Sequence, residues 1–91
     1  MTIFEWDEDK EKSNLSKHKV SFDEAESVFS DEFSVTIFDP DHSIEENRFI
    51  NIGMSDRNRV LIVVYPEREK RIRIISVRKA TKAERKIYEQ N

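Results

Sequence analysis

The longest uninterrupted apolar run, Val60-Leu61-Ile62-Val63-Val64-Tyr65, constrains the fold more than any other stretch. Side chains alternate between the two faces of a strand, so a run apolar at every position needs cover on both faces. Residues 60–65 therefore belong at the centre of a sheet. Turn chemistry brackets the run, with Ser55–Asn58 before it and Pro66–Lys70 after it. Beyond those turns lie two more strand patterns. Arg48–Met54 sets Ile50, Ile52 and Met54 on one face. Arg71–Val77 sets Ile72 and Ile74 on one face and Arg71 and Arg73 on the other. Upstream, Phe33–Phe38 alternates, with Phe33, Val35 and Ile37 together, and Asp39-Pro40-Asp41-His42-Ser43 follows as a turn. Four successive strands with short connections predict an antiparallel meander.

The flanks read as helices. After a short strand at Ile3–Trp6, Asp7 is an N-cap with Glu8 and Asp9 in the first turn, where negative charge is favourable. That helix runs to about Lys17 and is polar, with Lys10, Asn14 and Lys17 on one face. A second helix starts at Ser21, where Ser21 and Glu24 match a capping box and Val20 can staple to Ala25. Phe22, Ala25, Val28 and Phe29 then form an amphipathic stripe, and Asp31 closes the helix. At the C-terminal end Thr81 and Glu84 repeat the capping box, and Ala83, Ile87 and Tyr88 give the last helix a modest apolar face. The outline is β-α-α-β-β-β-β-α, an α+β arrangement in one domain over residues 1–91. Both early helices are expected on one sheet face, leaving the other for Arg and Lys.

Charge is unevenly distributed. The net charge is −3, yet residues 1–47 carry 4 Lys and Arg against 14 Asp and Glu, and residues 48–91 carry 12 against 5. Arg71–Tyr88 concentrates Arg71, Arg73, Arg78, Lys79, Lys82, Arg85 and Lys86 around the single acid Glu84. Such a block attracts a polyanion, RNA above all, while the acidic half can attract a basic partner or the chain's own basic half. With no cysteine there is no disulfide framework or thiolate site. No apolar run approaches the ~20 residues of a membrane span. The N-terminus lacks the basic start and apolar core of a secretory signal, so the cytoplasm is expected.

The candidate chemistry needs little machinery. No metal site is expected: the two histidines, His18 and His42, are far apart, and the calcium-loop echo after Asp39 has Ile44 where Gly is needed and Ile50 where Glu is needed. No cofactor is expected, since Gly53 is the only glycine and no phosphate loop can form. RNA cleavage by attack of a 2′-hydroxyl on phosphorus requires a base, an acid and cations for the added negative charge. Arg78 and Lys79, at a strand-to-helix corner, are the best-placed cations, and Arg68 in the Pro66–Glu69 turn can add another. His18 is the candidate acid or base, with a helix-end cap as its structural alternative. Glu67 is a further candidate base. Lys10, Lys17, Arg71, Arg73 and Arg85 are candidate RNA contacts; Lys10 and Asn14 can equally bond backbone. Tyr65 and Tyr88 can stack a base or belong to the core.

An ordered set of residues carries a resemblance over essentially the whole chain. Trp6-Asp7, Lys10, Asn14, Lys17-His18, Val20-Ser21-Phe22, Glu24-Ala25 and Val28-Phe29 resemble the opening signature of the BrnT family. Arg59-Val60-Leu61, Val64-Tyr65, Glu67-Arg68, Ile72–Ser76, Arg78–Thr81, Glu84-Arg85 and Tyr88 resemble its second half. The resemblance implies a RelE-like fold and a ribonuclease toxin of a type II toxin–antitoxin pair that arrests translation. It also implies neutralisation by a BrnA-type antitoxin whose DNA-binding domain carries the complex to its operator. By the same resemblance, toxicity depends on Arg68, Arg78 and Lys79. Two positions depart from the family pattern: Lys19 stands where Gly is usual, making a positive φ costlier, and Val77 replaces a small residue. The contrasting expectation is a non-catalytic module that binds RNA or an antitoxin.

Overall fold

The computed structural model describes residues 2–40, 46–68 and 70–90, the side chains of residues 67 and 68 excepted. The elements are β1 (Ile3–Glu5), α1 (Glu8–His18), α2 (Phe22–Val28), β2 (Val35–Asp39), β3 (Arg48–Met54), β4 (Val60–Arg68), β5 (Arg71–Arg73), β6 (Ser76–Lys79) and α3 (Lys82–Glu89). The sheet order is β1-β5-β4-β3-β2, with β6 also paired to β4. The long apolar strand is central, as its two apolar faces require. β1 joins the edge in parallel with β5, and every other pairing is antiparallel. The expected turn over residues 39–43 begins one residue late, since Asp39 ends β2, and its residues 41–43 lie outside the described residues.

Two expected boundaries move for a common reason. β4 continues through Glu67 and Arg68, which pair with Ile72 and Arg71, so these two residues are in a strand and not in the turn. The last strand, in return, divides into β5 and β6. Val64 pairs with Ser76, whereas Glu67 pairs with Ile72. Tyr65 and Pro66 thus face Arg73, Ile74 and Ile75, one residue too many, which is a bulge. Pro66 lacks the N–H that an unbroken ladder needs. The bulge redirects the neighbouring donors: the Ile74 N–H bonds to the Glu5 carbonyl at 3.0 Å and that of Ile75 to the Val64 carbonyl at 3.0 Å. It also reverses the alternation, so Ile74 and Val77, three positions apart, are both buried. Ser76 and Arg78 are thereby sent to the opposite face.

The core lies between α2 and one face of the sheet. Val20, Phe22, Ala25 and Val28 pack with Leu61, Val63, Tyr65, Ile74 and Val77. Phe29 meets Phe4 at 5.1 Å and Tyr65 at 5.0 Å between ring centroids, and Phe49 stacks on Tyr65. Tyr65 is therefore core and not a base-stacking residue. Phe33, expected in the strand, sits in the preceding turn and is 66% exposed.

α1 buries one residue, Asn14, and that residue explains its position. The Asn14 amide donates to the carbonyls of Val20 (3.1 Å) and Val77 (2.9 Å), and its Oδ1 accepts from the Val77 N–H (3.1 Å). The side chain thus acts as a one-residue strand on the open edge of β6. So α1 does not share the sheet face of α2 as expected; it runs beside β6. Lys19 closes α1 with φ 61° and ψ 30°, the left-handed conformation that the missing glycine would have favoured.

The caps are made partly as expected. Ser21 Oγ accepts from the Glu24 N–H, but the Glu24 carboxylate does not return to Ser21. It takes instead the Arg59 guanidinium and, at 2.7 Å, the Ser55 hydroxyl, while Glu11 accepts from the Phe22 N–H. Arg59 holds the Glu24 carboxyl below the usual range against the opposing effect of burial. Asp31 lies beyond the end of α2 and accepts from the N–H groups of Phe33 and Met54 and from the Tyr88 hydroxyl at 2.6 Å. That bond to Asp31 pushes the Tyr88 phenol up to about 12. α3 buries none of its residues, so its Ala83-Ile87-Tyr88 face is not a core face. Polar ties hold it: Tyr88 to Asp31, and Glu84 to Arg78.

Candidate functional site

Beside α1 the second face of the sheet opens into a groove of about 560 Å³. Lys10, Ser13, Lys17 and His18 line it from α1, Asp39 from β2, Arg48 from β3, Val64 from β4, and Ile75 and Ser76 from the bulge and β6. The local sequence explains the convergence. Lys10, Asn14 and Lys17 share a helix face, and Asn14 pins that face to β6, so the two lysines overhang the sheet. Asp39 and Arg48 are cross-strand neighbours at the far side of the β2–β3 pair. Three cations and an imidazole against one carboxylate, Asp39, leave the groove lining net positive, a surface that attracts anions.

Arg78 stands next to this groove. It is two residues beyond Ser76 on β6 and shares its face, roughly 7 Å away along the strand. Its Nη1 and Nη2 both donate to the Glu84 carboxylate at 2.7 Å, and that carboxylate also accepts from the Thr81 N–H at 2.8 Å. The capping box of α3 is thus complete and extended by a guanidinium fork. Arg78 and the Thr81 N–H draw the Glu84 carboxyl down to about 2 despite partial burial, and Glu84 in turn raises Arg78.

The remaining sequence candidates divide among three places. Lys79, exposed and one residue on from Arg78, points by strand alternation to the other face. It joins Arg59, Arg85 and Glu89 around a second cleft, bordered by Ala80 and Val60. Arg78 and Lys79, neighbours in sequence, therefore face opposite sides of the sheet. Arg71 reaches Glu5 on β1 at 3.3 Å, and Arg73 is half-buried on β5. The backbone of Arg68 lies two residues beyond Pro66, the register partner of groove-lining Arg48, and Glu67 precedes it; their side chains lie outside the described residues. Lys10, Lys17 and His18 are the candidates brought together. Sequence reasoning missed Arg48, Asp39 and Ser76. The first two read as strand and turn residues until pairing sets them side by side, and Ser76 faces the groove because of the bulge. Among the described residues no three of His, Cys, Asp or Glu converge as metal ligands, and no helix is long and apolar enough to cross a membrane.

Fold and groove define a small α+β domain whose second sheet face carries a basic groove edged by a polar helix. The same fold is found in the crystal structure of the Brucella abortus ribonuclease toxin BrnT, with a TM-score of 0.66 at 22% sequence identity over 90% of this chain and 100% of that one. Residues 6–84 match the family model described as the ribonuclease toxin BrnT of type II toxin–antitoxin systems, and the chain belongs to that family. No curated protein sequence matches it. Membership brings with it the ribonuclease toxin class and an antitoxin partner.

Proposed function

We propose that this chain cleaves RNA in the groove beside α1 without a metal ion, arresting translation in the cytoplasm. The observation that carries the reading is the convergence of Lys10, Lys17, His18 and Arg48 around one open groove, with Arg78 adjoining it. Lys10, Lys17 and Arg48 hold successive phosphates. A base takes the 2′-hydroxyl proton, the oxygen attacks phosphorus, and an acid protonates the departing 5′-oxygen, leaving a 2′,3′-cyclic phosphate. His18 fills one of these two roles, and Glu67 is the candidate for the other. Arg78 and Arg68 stabilise the charge gained in the transition state, while Arg71, Arg73, Lys79 and Arg85 steer RNA toward it. A BrnA-type antitoxin covers the groove, and its DNA-binding domain takes the pair to the operator.

The test is RNA cleavage by the purified chain in EDTA. We expect His18→Ala to abolish cleavage while RNA binding persists. Lys17→Ala with Arg48→Ala should weaken binding and flatten its salt dependence by about 1.4, at about 0.7 per phosphate contact on single strands. Cleavage that needs added metal, or that survives all three substitutions, overturns the assignment. A second reading, a non-catalytic binding module, is favoured by one feature: the Arg78 fork is already filled by Glu84. RNA bound steeply with salt but left uncut would select it.

A further inference from the structure

Among the described residues the outer side of β2 is an edge of the sheet, and of this strand only Asp39 lines the groove. Among the described residues β2 pairs with β3 alone and ends the sheet. An edge strand presents unpaired N–H and C=O groups, and soluble proteins blunt such edges with Lys, Pro, a bulge or a cover. Val35–Asp39 has no Lys and no Pro, and its register with β3 runs unbroken from Val35 to Asp39. Its side chains add to the exposure. Phe33, Ile37 and Phe38 are 66%, 38% and 47% exposed, which concentrates large bare apolar groups within six residues. Ile37 and Phe38 lie on opposite faces, so an added strand would be gripped from both sides.

Charge decides the occupant. Asp31 and Glu32 precede the strand, Asp39 ends it across from Arg48 on β3, and residues 31–39 themselves contain no Lys or Arg. A second copy would bring this acidic run against itself, whereas a strand flanked by Lys or Arg would be drawn in. We propose that β2 takes up an extended segment of the antitoxin, with alternating apolar residues and basic flanks, as an added strand of the sheet. The inference rests on the toxin–antitoxin reading above and gives the partner its docking site. It also links capture to inhibition. Asp39 both ends β2 and lines the groove, so a strand added there runs past the groove mouth.

The experiment uses the full chain and the purified small protein encoded by the adjacent reading frame. Amide hydrogen exchange of the wild-type chain, free and in complex, should slow at least tenfold within residues 35–39. Ile37→Lys and Phe38→Lys should each weaken the complex at least tenfold with RNA cleavage by the free, folded chain unchanged, although Phe38→Lys also gives up the ring contact with Phe49. Exchange unaltered at 35–39, or variants that bind like the wild type, overturns the proposal. Concentration-dependent protection of 35–39 in the free chain also overturns it, since a second copy would then be the occupant. The two readings fail separately. A free chain that cuts no RNA, with 35–39 still protected by the partner, refutes the enzyme and supports the surface. A chain that cuts RNA but binds no such protein refutes the antitoxin occupant.

Discussion

Replacing Glu84 by Gln tests the tie that joins α3 to the groove. The carboxylate receives two bonds from Arg78 and one from the Thr81 N–H. Drawing its carboxyl from 4.5 to about 2 corresponds to about 3 kcal/mol in favour of the ionised form. The side chains of Arg78 and Glu84 are 40% and 25% exposed, so solvent screening leaves about 1–2 kcal/mol. Because the folded carboxyl titrates below the unfolded one, this stability is fully present above about 4.5 and is lost as pH falls toward about 2. Urea unfolding of Glu84→Gln and wild type, followed by Trp6 fluorescence, should differ by about 1–2 kcal/mol at pH 7. The gap should shrink to about a quarter between pH 4.5 and pH 2.5, where the other carboxylates contribute equally to both proteins. No gap at pH 7, or one that keeps its size down to pH 2.5, would refute the argument.

Three further outcomes follow from the same geometry. Asn14→Ala leaves the Val77 N–H and carbonyl unpaired at a buried edge, and should cost about 3 kcal/mol in urea unfolding and speed exchange of the Val77 amide. Glu24→Ala strands Arg59 and the Ser55 hydroxyl, for a loss of about 3 kcal/mol by the same measure. Lys19→Gly removes the cost of a left-handed non-glycine residue and should raise stability by about 0.5–1 kcal/mol, read as a melting temperature higher by several degrees.

Much of the fold was legible because the signals are local. The doubly apolar run 60–65 is central, Arg48–Met54 has its expected bounds, and Asp7, Ser21 and Thr81 cap helices because each has a side-chain oxygen one residue before a helical pattern. The resemblance read from ordered residues is the family to which the chain belongs. The candidate site was legible only in part. Lys10 and Lys17 share a helix face and could be grouped by spacing, and His18 follows Lys17 directly. Their neighbours Arg48 and Asp39 come from a hairpin far along the chain, and no period connects a helix to the strand end it overhangs.

What the sequence determined by itself was which segments become strands and helices, how each helix begins, and that the second half is cationic. These depend on residues within a few positions of one another. The tertiary structure alone decided which cations meet. Pro66 withholds one hydrogen bond, the opposite strand takes an extra residue, and everything after Ile74 changes face. Arg78 is thereby set beside the groove with Glu84 in its fork, Lys79 is turned away, and Val77 enters the core. Asn14 then fastens α1 to the edge that this shift leaves open, across 63 residues of chain. Pairing register is a property of two strands together, and neither strand's own sequence contains it.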